Sequence, residues 1–110
     1  MTSQKLYIVV RGDLETGLRA AQACHALREF VAEHPAADQQ WFATSNTIVL
    51  LEVEDIDQLS DLAFDLERHG IRIAKFIEPD LGYELTAIAV AGEGRNLCRR
   101  LPLAFEGGMA

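Results

Sequence analysis

The chain has 110 residues, 49 % apolar and 25 % charged, proportions of a folded domain that exclude disorder and low complexity. Its length suits one domain, residues 1–110, and no apolar run, Thr47–Leu51 included, approaches the ~20 residues of a membrane span. A net charge of −7 argues against simple electrostatic binding of nucleic acid.

Lys5–Val10 is an apolar, β-branched run that predicts a buried strand, closed by Arg11-Gly12-Asp13. Thr16 is placed to cap the helix that follows. From Leu18 to about Glu33 the positions Ala20, Ala23, Cys24, Leu27, Phe30 and Val31 form an apolar helical stripe, and Pro35 marks its stop. Residues 36–46 carry no clear period; Trp41 and Phe42 are expected to cover a sheet edge or face, and Ser45-Asn46 reads as a turn. Thr47–Val53 predicts a second buried strand. Ile56–His69 is the cleanest helix: Ile56, Leu59, Leu62, Ala63 and Leu66 line one face and Asp57, Asp61 and Asp65 another, with Asp55 and Gly70 as caps. Ile71–Ile77 predicts strand three, Glu78–Glu84 a polar loop, Leu85–Ala91 strand four, and Arg95–Leu101 a short helix or turn stopped by Pro102. The last four residues are expected to fray.

The order β-α-β-α-β-β-α leaves helical crossovers long enough for parallel strands, then a loop too short for one, so strands three and four, if neighbours, run antiparallel. Strands this apolar need cover on both faces. The expected fold is α/β, a three-layer α/β/α sandwich on a small mixed four-stranded sheet. The N-terminus lacks a small-residue cleavage site, and Cys24 and Cys98 show no metal spacing, so a reduced, cytoplasmic protein without metal or cofactor is expected. Charge is polarised: ten acids and no Lys or Arg lie between Glu29 and Glu67. That pattern suits solvated helix faces, and it leaves the chain ends mildly basic.

Three patches can carry chemistry. Arg11-Gly12-Asp13 with Thr16-Gly17-Leu18 lies where strand one meets a helix N-terminus, whose free N–H groups suit an anion; an ordinary strand–helix turn has the same pattern, and no phosphate-loop motif is present. Gln22 and His25 share a helix flank with Leu18 and Glu29, apart from the apolar stripe, and can orient a substrate or water; a structural hydrogen bond from His25 to a loop is the plainer reading. Glu78-Pro79-Asp80-Leu81-Gly82-Tyr83-Glu84 places three carboxylates in one loop, either as a general base or as a solvated turn.

These patches together resemble the type 2 peptidyl-tRNA hydrolases. The resemblance rests on Tyr7-Ile8-Val9-Val10-Arg11-Gly12-Asp13-Leu14, then Gly17 and Ala20-Ala21-Gln22-Ala23-Cys24-His25-Ala26, then Asp80-x-Gly82 and Thr86-Ala87-Ile88-Ala89. Ser45-Asn46-Thr47, Glu78-Pro79-Asp80-Leu81 and Leu101-Pro102-Leu103 are similar to a divergent bacterial branch of that family. The resemblance implies a carboxylic ester hydrolase that frees a peptide from the 3′ end of tRNA without a metal, often as a homodimer. It implies that Asp80 holds or deprotonates the water, with Gln22 and His25 in the catalytic set, and that Arg11, Asp13, Gly17, Arg19, Gly82 and Thr86 contact substrate. Arg95, Arg99 and Arg100 would meet the acceptor stem if they share its side. Two family residues differ: the Lys after the helix-opening Gly is Leu18, and the Thr of the Asp-x-Gly-x-Thr motif is Glu84. A binding protein of the same fold for a small ligand, tRNA or a protein, and a hydrolase for a smaller ester or amide, are the competing readings.

Overall fold

A computed structural model describes residues 4–106. Strand β1 (Lys5–Arg11) is buried from Leu6 onward because it lies inside the sheet, between β2 (Thr47–Val53) and β4 (Glu84–Val90). The order is β2-β1-β4-β3, with β3 spanning Ile73–Glu78. β1 pairs with β2 in parallel and with β4 antiparallel, and β4 pairs antiparallel with β3, so β1, β2 and β3 share one direction. The sheet is mixed and four-stranded, as expected.

Alternation along the strands divides the core into two halves. On one face Leu6, Ile8, Val10, Ala87 and Ala89 pack against Ala23, Ala26 and Phe30 of α1 (Thr16–Glu33) and Ala37 and Trp41 of α2 (Pro35–Thr44). On the other, Tyr7, Val9, Leu51, Ile88 and Val90 pack against Leu59, Ala63 and Leu66 of α3 (Ile56–Arg68) and Cys98 of α4 (Arg95–Cys98). These are the three layers of the sandwich.

Several expectations are corrected. Pro35 ends α1 and also opens α2, where its fixed φ and missing N–H suit the first helical position. Ala37 and Trp41 are the buried residues of α2, too few for an amphipathic signal. Trp41 is buried and its Nε1 donates to the Thr47 carbonyl at 2.8 Å, whereas Phe42 is exposed and covers nothing. Thr16 lies inside α1; Glu15 is the N-cap and its side chain makes no capping bond. The buried row of α1 is Gln22, Ala23, Ala26 and Phe30, so Cys24 and Ala20 are exposed and Gln22 faces the sheet. α3 follows expectation: the Asp55 side chain accepts from the Gln58 amide at 3.0 Å, and Gly70 follows at a φ of 72°.

β3 and β4 are shifted from their predicted bounds by one or two residues. Between them Pro79–Leu81 forms one 3₁₀ turn, and Gly82 and Tyr83 both take positive φ to complete the reversal. The pairing slips at this end: Phe76 faces Ala87 and Ile77 faces Leu85, which leaves Thr86 as an extra, unpaired residue of a β-bulge. After α4 the chain returns along β2. The Glu52 amide donates to the Pro102 carbonyl, the Ala104 amide donates to that of Leu50, and Leu103 bridges Leu51. The expected fraying of the last four residues lies outside the described residues. No described helix is long and apolar enough to cross a membrane.

Candidate functional site

The carboxyl ends of β1 and β3, the start of β4 and the first turns of α1 meet at one edge of the sheet. The bulge is what makes this edge polar inside. Regular alternation would send Thr86 to the α3 face with Ile88 and Val90; the extra residue turns it toward α1. There the Thr86 hydroxyl donates to Gln22 Oε1 at 2.5 Å, and Gln22 Nε2 donates to Glu78 Oε1 at 2.9 Å. Gln22 and Thr86 are both fully buried, so this line of hydrogen bonds runs from the core to the half-buried Glu78 carboxylate. Glu78 Oε2 accepts from the Asp80 amide at 3.2 Å. The Gln22 amide, then the Asp80 amide, hold the Glu78 carboxyl below its ordinary value, helped by the nearby charge of His25. The His25 ring stacks on Phe76, with centroids 4.4 Å apart and planes 13° from parallel. It makes no hydrogen bond to a loop among the described residues.

Asp80 itself is exposed, and its carboxylate bonds to nothing else among the described residues. Its backbone, through Glu78, joins the Gln22 cluster. Gly82 supplies the left-handed turn beside it, with open space around its Cα.

The cations behave differently from expectation. Arg11 is buried and fully engaged: Nε and Nη2 donate to the two Asp13 carboxylate oxygens at 3.0 and 2.8 Å, and Nη1 donates to Glu84 Oε1 at 2.8 Å and to the Leu85 carbonyl at 3.1 Å. Asp13 first, then Glu84, raise the Arg11 pKa, and Arg11 lowers that of Asp13. Arg11 is thus a structural cation neutralised twice over. Arg19 donates through Nε and Nη2 to the Leu14 carbonyl and through Nη1 to Glu52 at 3.0 Å, and its guanidinium lies 5.1 Å from the Phe105 ring centroid. Gly17 is exposed in the first turn of α1; the first helical bond is Arg19 amide to Glu15 carbonyl, which leaves the Thr16, Gly17 and Leu18 amides outside the ladder. Arg95, Arg99 and Arg100 follow the opposite end of β4, on the α3 face, and do not join this cluster.

Gln22, His25, Asp80 and Thr86 are therefore brought together, and Glu78 joins them as the residue that contacts Gln22 directly. Glu78 was legible: counting by twos from Ala74 and Phe76 places it on the α1 face. The stacking of His25 on Phe76 has no sequence signature. Among the described residues no group of three or more His, Cys, Asp or Glu is arranged to hold a metal.

A family model described as peptidyl-tRNA hydrolase PTH2 matches residues 4–91. No curated protein gives a significant match. Among solved structures, a protein of unknown function from Agrobacterium tumefaciens strain C58 superposes with a TM-score of 0.71, at 13 % identity, covering 94 % of this chain and 98 % of that one. At that identity the likeness shows a shared fold.

Proposed function

The chain belongs to the peptidyl-tRNA hydrolase PTH2 family, and from that premise we propose that it hydrolyses the ester joining a peptide to the 3′ end of tRNA. The observation that supports this most is the Thr86–Gln22–Glu78 line, which fixes an ionised carboxylate at the sheet edge where α/β folds bind ligands. A carboxylate held in this way can orient a water and accept its proton as the water attacks a carbonyl carbon. Two carboxylates stand at this mouth, Glu78 and Asp80, and each has lone pairs to offer. The Thr16, Gly17 and Leu18 amides supply donors for a terminal phosphate or for the developing oxyanion. The His25–Phe76 stack forms a flat wall beside Glu78, suited to an acyl group or a nucleobase.

One observation favours a second reading, a hydrolase or binding protein for a smaller and less anionic ligand. Arg11 and Arg19, the two arginines that the resemblance sets against the substrate, are both held by carboxylates, so they offer little charge to phosphates. On the first reading the protein is a single domain acting in the cytoplasm, as a homodimer of the divergent bacterial branch. Single-turnover incubation with peptidyl-tRNA, against an unrelated hydrolase as positive control, tests the reaction. Release of free tRNA above background is expected. No turnover, with measurable tRNA binding, would replace the hydrolase by a binding protein.

A further inference from the structure

We propose that Glu78 is the catalytic carboxylate of this chain, holding the attacking water and taking its proton, with Gln22 and Thr86 as the residues that position it. The assignment rests on the hydrolase reading above and names which of the two carboxylates carries the chemistry.

One buried amide can be oriented in only one way. Gln22 contacts Thr86 at one end and Glu78 at the other. A carboxylate can only accept, so the Gln22 end that faces Glu78 must be the NH₂ group. The carbonyl end then needs a donor, and the Thr86 hydroxyl is that donor. The reverse orientation would set two acceptors face to face in a buried place, a desolvation cost that water cannot relieve. The direction of the line is therefore decided by chemistry, independently of which atom is drawn as oxygen.

Glu78 is fastened at both carboxylate oxygens, one by Gln22 at 2.9 Å and one by the Asp80 amide at 3.2 Å. Each oxygen keeps a second lone pair, so a water can be held in a set direction. Asp80 offers no such constraint: its exposed carboxylate has no hydrogen-bond partner among the described residues. Catalysis depends on placing the reacting groups to a fraction of an ångström, which favours the fastened carboxylate. The bulge at Thr86 serves the same end, since without it the hydroxyl would point to the opposite face.

The step balances. Water oxygen bonds to the ester carbonyl carbon as one of its protons passes to a Glu78 carboxylate oxygen. The tetrahedral intermediate collapses with cleavage of the bond from that carbon to the ribose 3′ oxygen. Glu78 returns the proton to the departing oxygen and is again ionised. Three titratable neighbours face Glu78: His25 from α1, Glu84 opposite it in β4, and Asp80 from its own turn.

The experiment is single-turnover hydrolysis of peptidyl-tRNA by the full chain across acid and neutral pH. Wild type, Glu78→Gln, Asp80→Asn and Gln22→Met are compared at equal folded concentration. Glu78→Gln is expected to lose about 10²- to 10⁴-fold, the usual worth of a positioned base, and Asp80→Asn distinctly less. In wild type the acid limb of kcat/KM should lie below 4.5, the ordinary value for this carboxyl. Gln22→Met removes the bond that stabilises the ionised form, so the limb should move to higher pH, an effect that loss of packing alone does not produce. That comparison needs no change at Glu78, and so survives a poorly folded Glu78→Gln. An equal or larger loss in Asp80→Asn, or an unmoved limb in Gln22→Met, overturns the assignment while leaving the hydrolase intact. A wild type without turnover overturns the hydrolase reading itself, and the assignment with it.

Discussion

Arg11 and Glu84 are joined at 2.8 Å, and they come from strands at opposite ends of the sequence that lie side by side in the sheet. Glu84 stands where the family motif has a hydroxyl. The acid that looks hostile to an anionic substrate is thus the partner of a buried cation. Removing it should have two effects at once. Glu84→Thr leaves Arg11 with Asp13 and the Leu85 carbonyl, and should destabilise the fold by about 1 kcal/mol, the worth of a bond to a charged group discounted for the half-exposed Glu84 side chain. It should also free positive charge at the site and strengthen tRNA binding. Urea unfolding and a binding titration measure the pair; stability lost with no rise in affinity would leave Glu84 a purely structural residue.

Leu18→Lys puts a cation back beside the exposed amides of Thr16 and Gly17. Each further phosphate that the protein neutralises on a duplex should steepen the log–log salt dependence of tRNA binding by roughly 0.9. The slope of wild type should be shallow, because Arg11 and Arg19 are engaged within the protein. A steep wild-type slope would mean that the phosphates are met elsewhere on the surface.

Gly94→Ala should cost about 1–3 kcal/mol, typical of overpacking. A Cβ there would lie 2.4 Å from Val90 Cγ1 and 3.0 Å from Ile71 Cγ2, and a buried β-branched Val90 has little room to turn aside. Gly17→Ala is the control: its nearest neighbour would be 4.0 Å away, and a helical alanine should add about 0.5–1 kcal/mol. Chemical denaturation of the two variants should move in opposite directions.

Stability should fall on acidification. Arg11, Gln22 and Arg72 hold the carboxyls of Asp13, Glu78 and Glu93 below their ordinary values of 3.8, 4.5 and 4.5. A carboxyl depressed on folding contributes above its unfolded value and gives that contribution up as pH falls through the folded one. Glu33 works the other way: Glu29, one helical turn before it, raises its carboxyl, so its contribution is present in acid and lost as pH rises past 4.5. Three groups oppose one, so the urea midpoint should be level near neutrality and decline below about pH 4.5. Glu29→Gln should raise the stability at neutral pH by roughly 0.2–0.5 kcal/mol, the cost of a like-charge pair on a helix. A midpoint that stays level into acid would show that these contacts add nothing to stability.

The layers of the fold were legible because its strands are short apolar runs and α3 is strongly two-faced, with Asp55 and Gly70 at its ends. α2 was not, since one proline both ended one helix and began the next. The Gln22–His25 block lies at the edge of the sheet where β3 ends, beside Phe76 and Glu78. What stayed hidden was how its members are aimed. Gln22 looked like a flank residue because a polar side chain in a buried row contradicts the apolar stripe, and the contradiction resolves only when Thr86 and Glu78 are seen to satisfy its amide. Thr86 reaches that amide through a bulge, an irregularity of pairing that no periodicity records. Arg11 and Arg19 read as free charge because Glu84 and Glu52, which complete their neutralisation, lie 73 and 33 residues away, although Asp13 already stood two residues from Arg11.

The returning segment Pro102–Ala104 bears on how the sheet meets other chains. It occupies the backbone groups of Leu50 and Glu52 along the outer margin of β2, so this margin is shielded over its second half. β3 is the other margin; among the described residues no strand pairs with its outer side, His34 Nε2 bonds the Ile73 carbonyl at its start, and it carries Lys75, a residue that discourages strand addition. A slab that can recruit a neighbour on one side only forms a closed pair; one with two bare margins propagates into fibres. Cutting the chain before Pro102 would leave the Leu50 carbonyl and the Glu52 amide open on the β2 margin as well, and the shortened chain is expected to run as larger assemblies than the full one in size-exclusion chromatography.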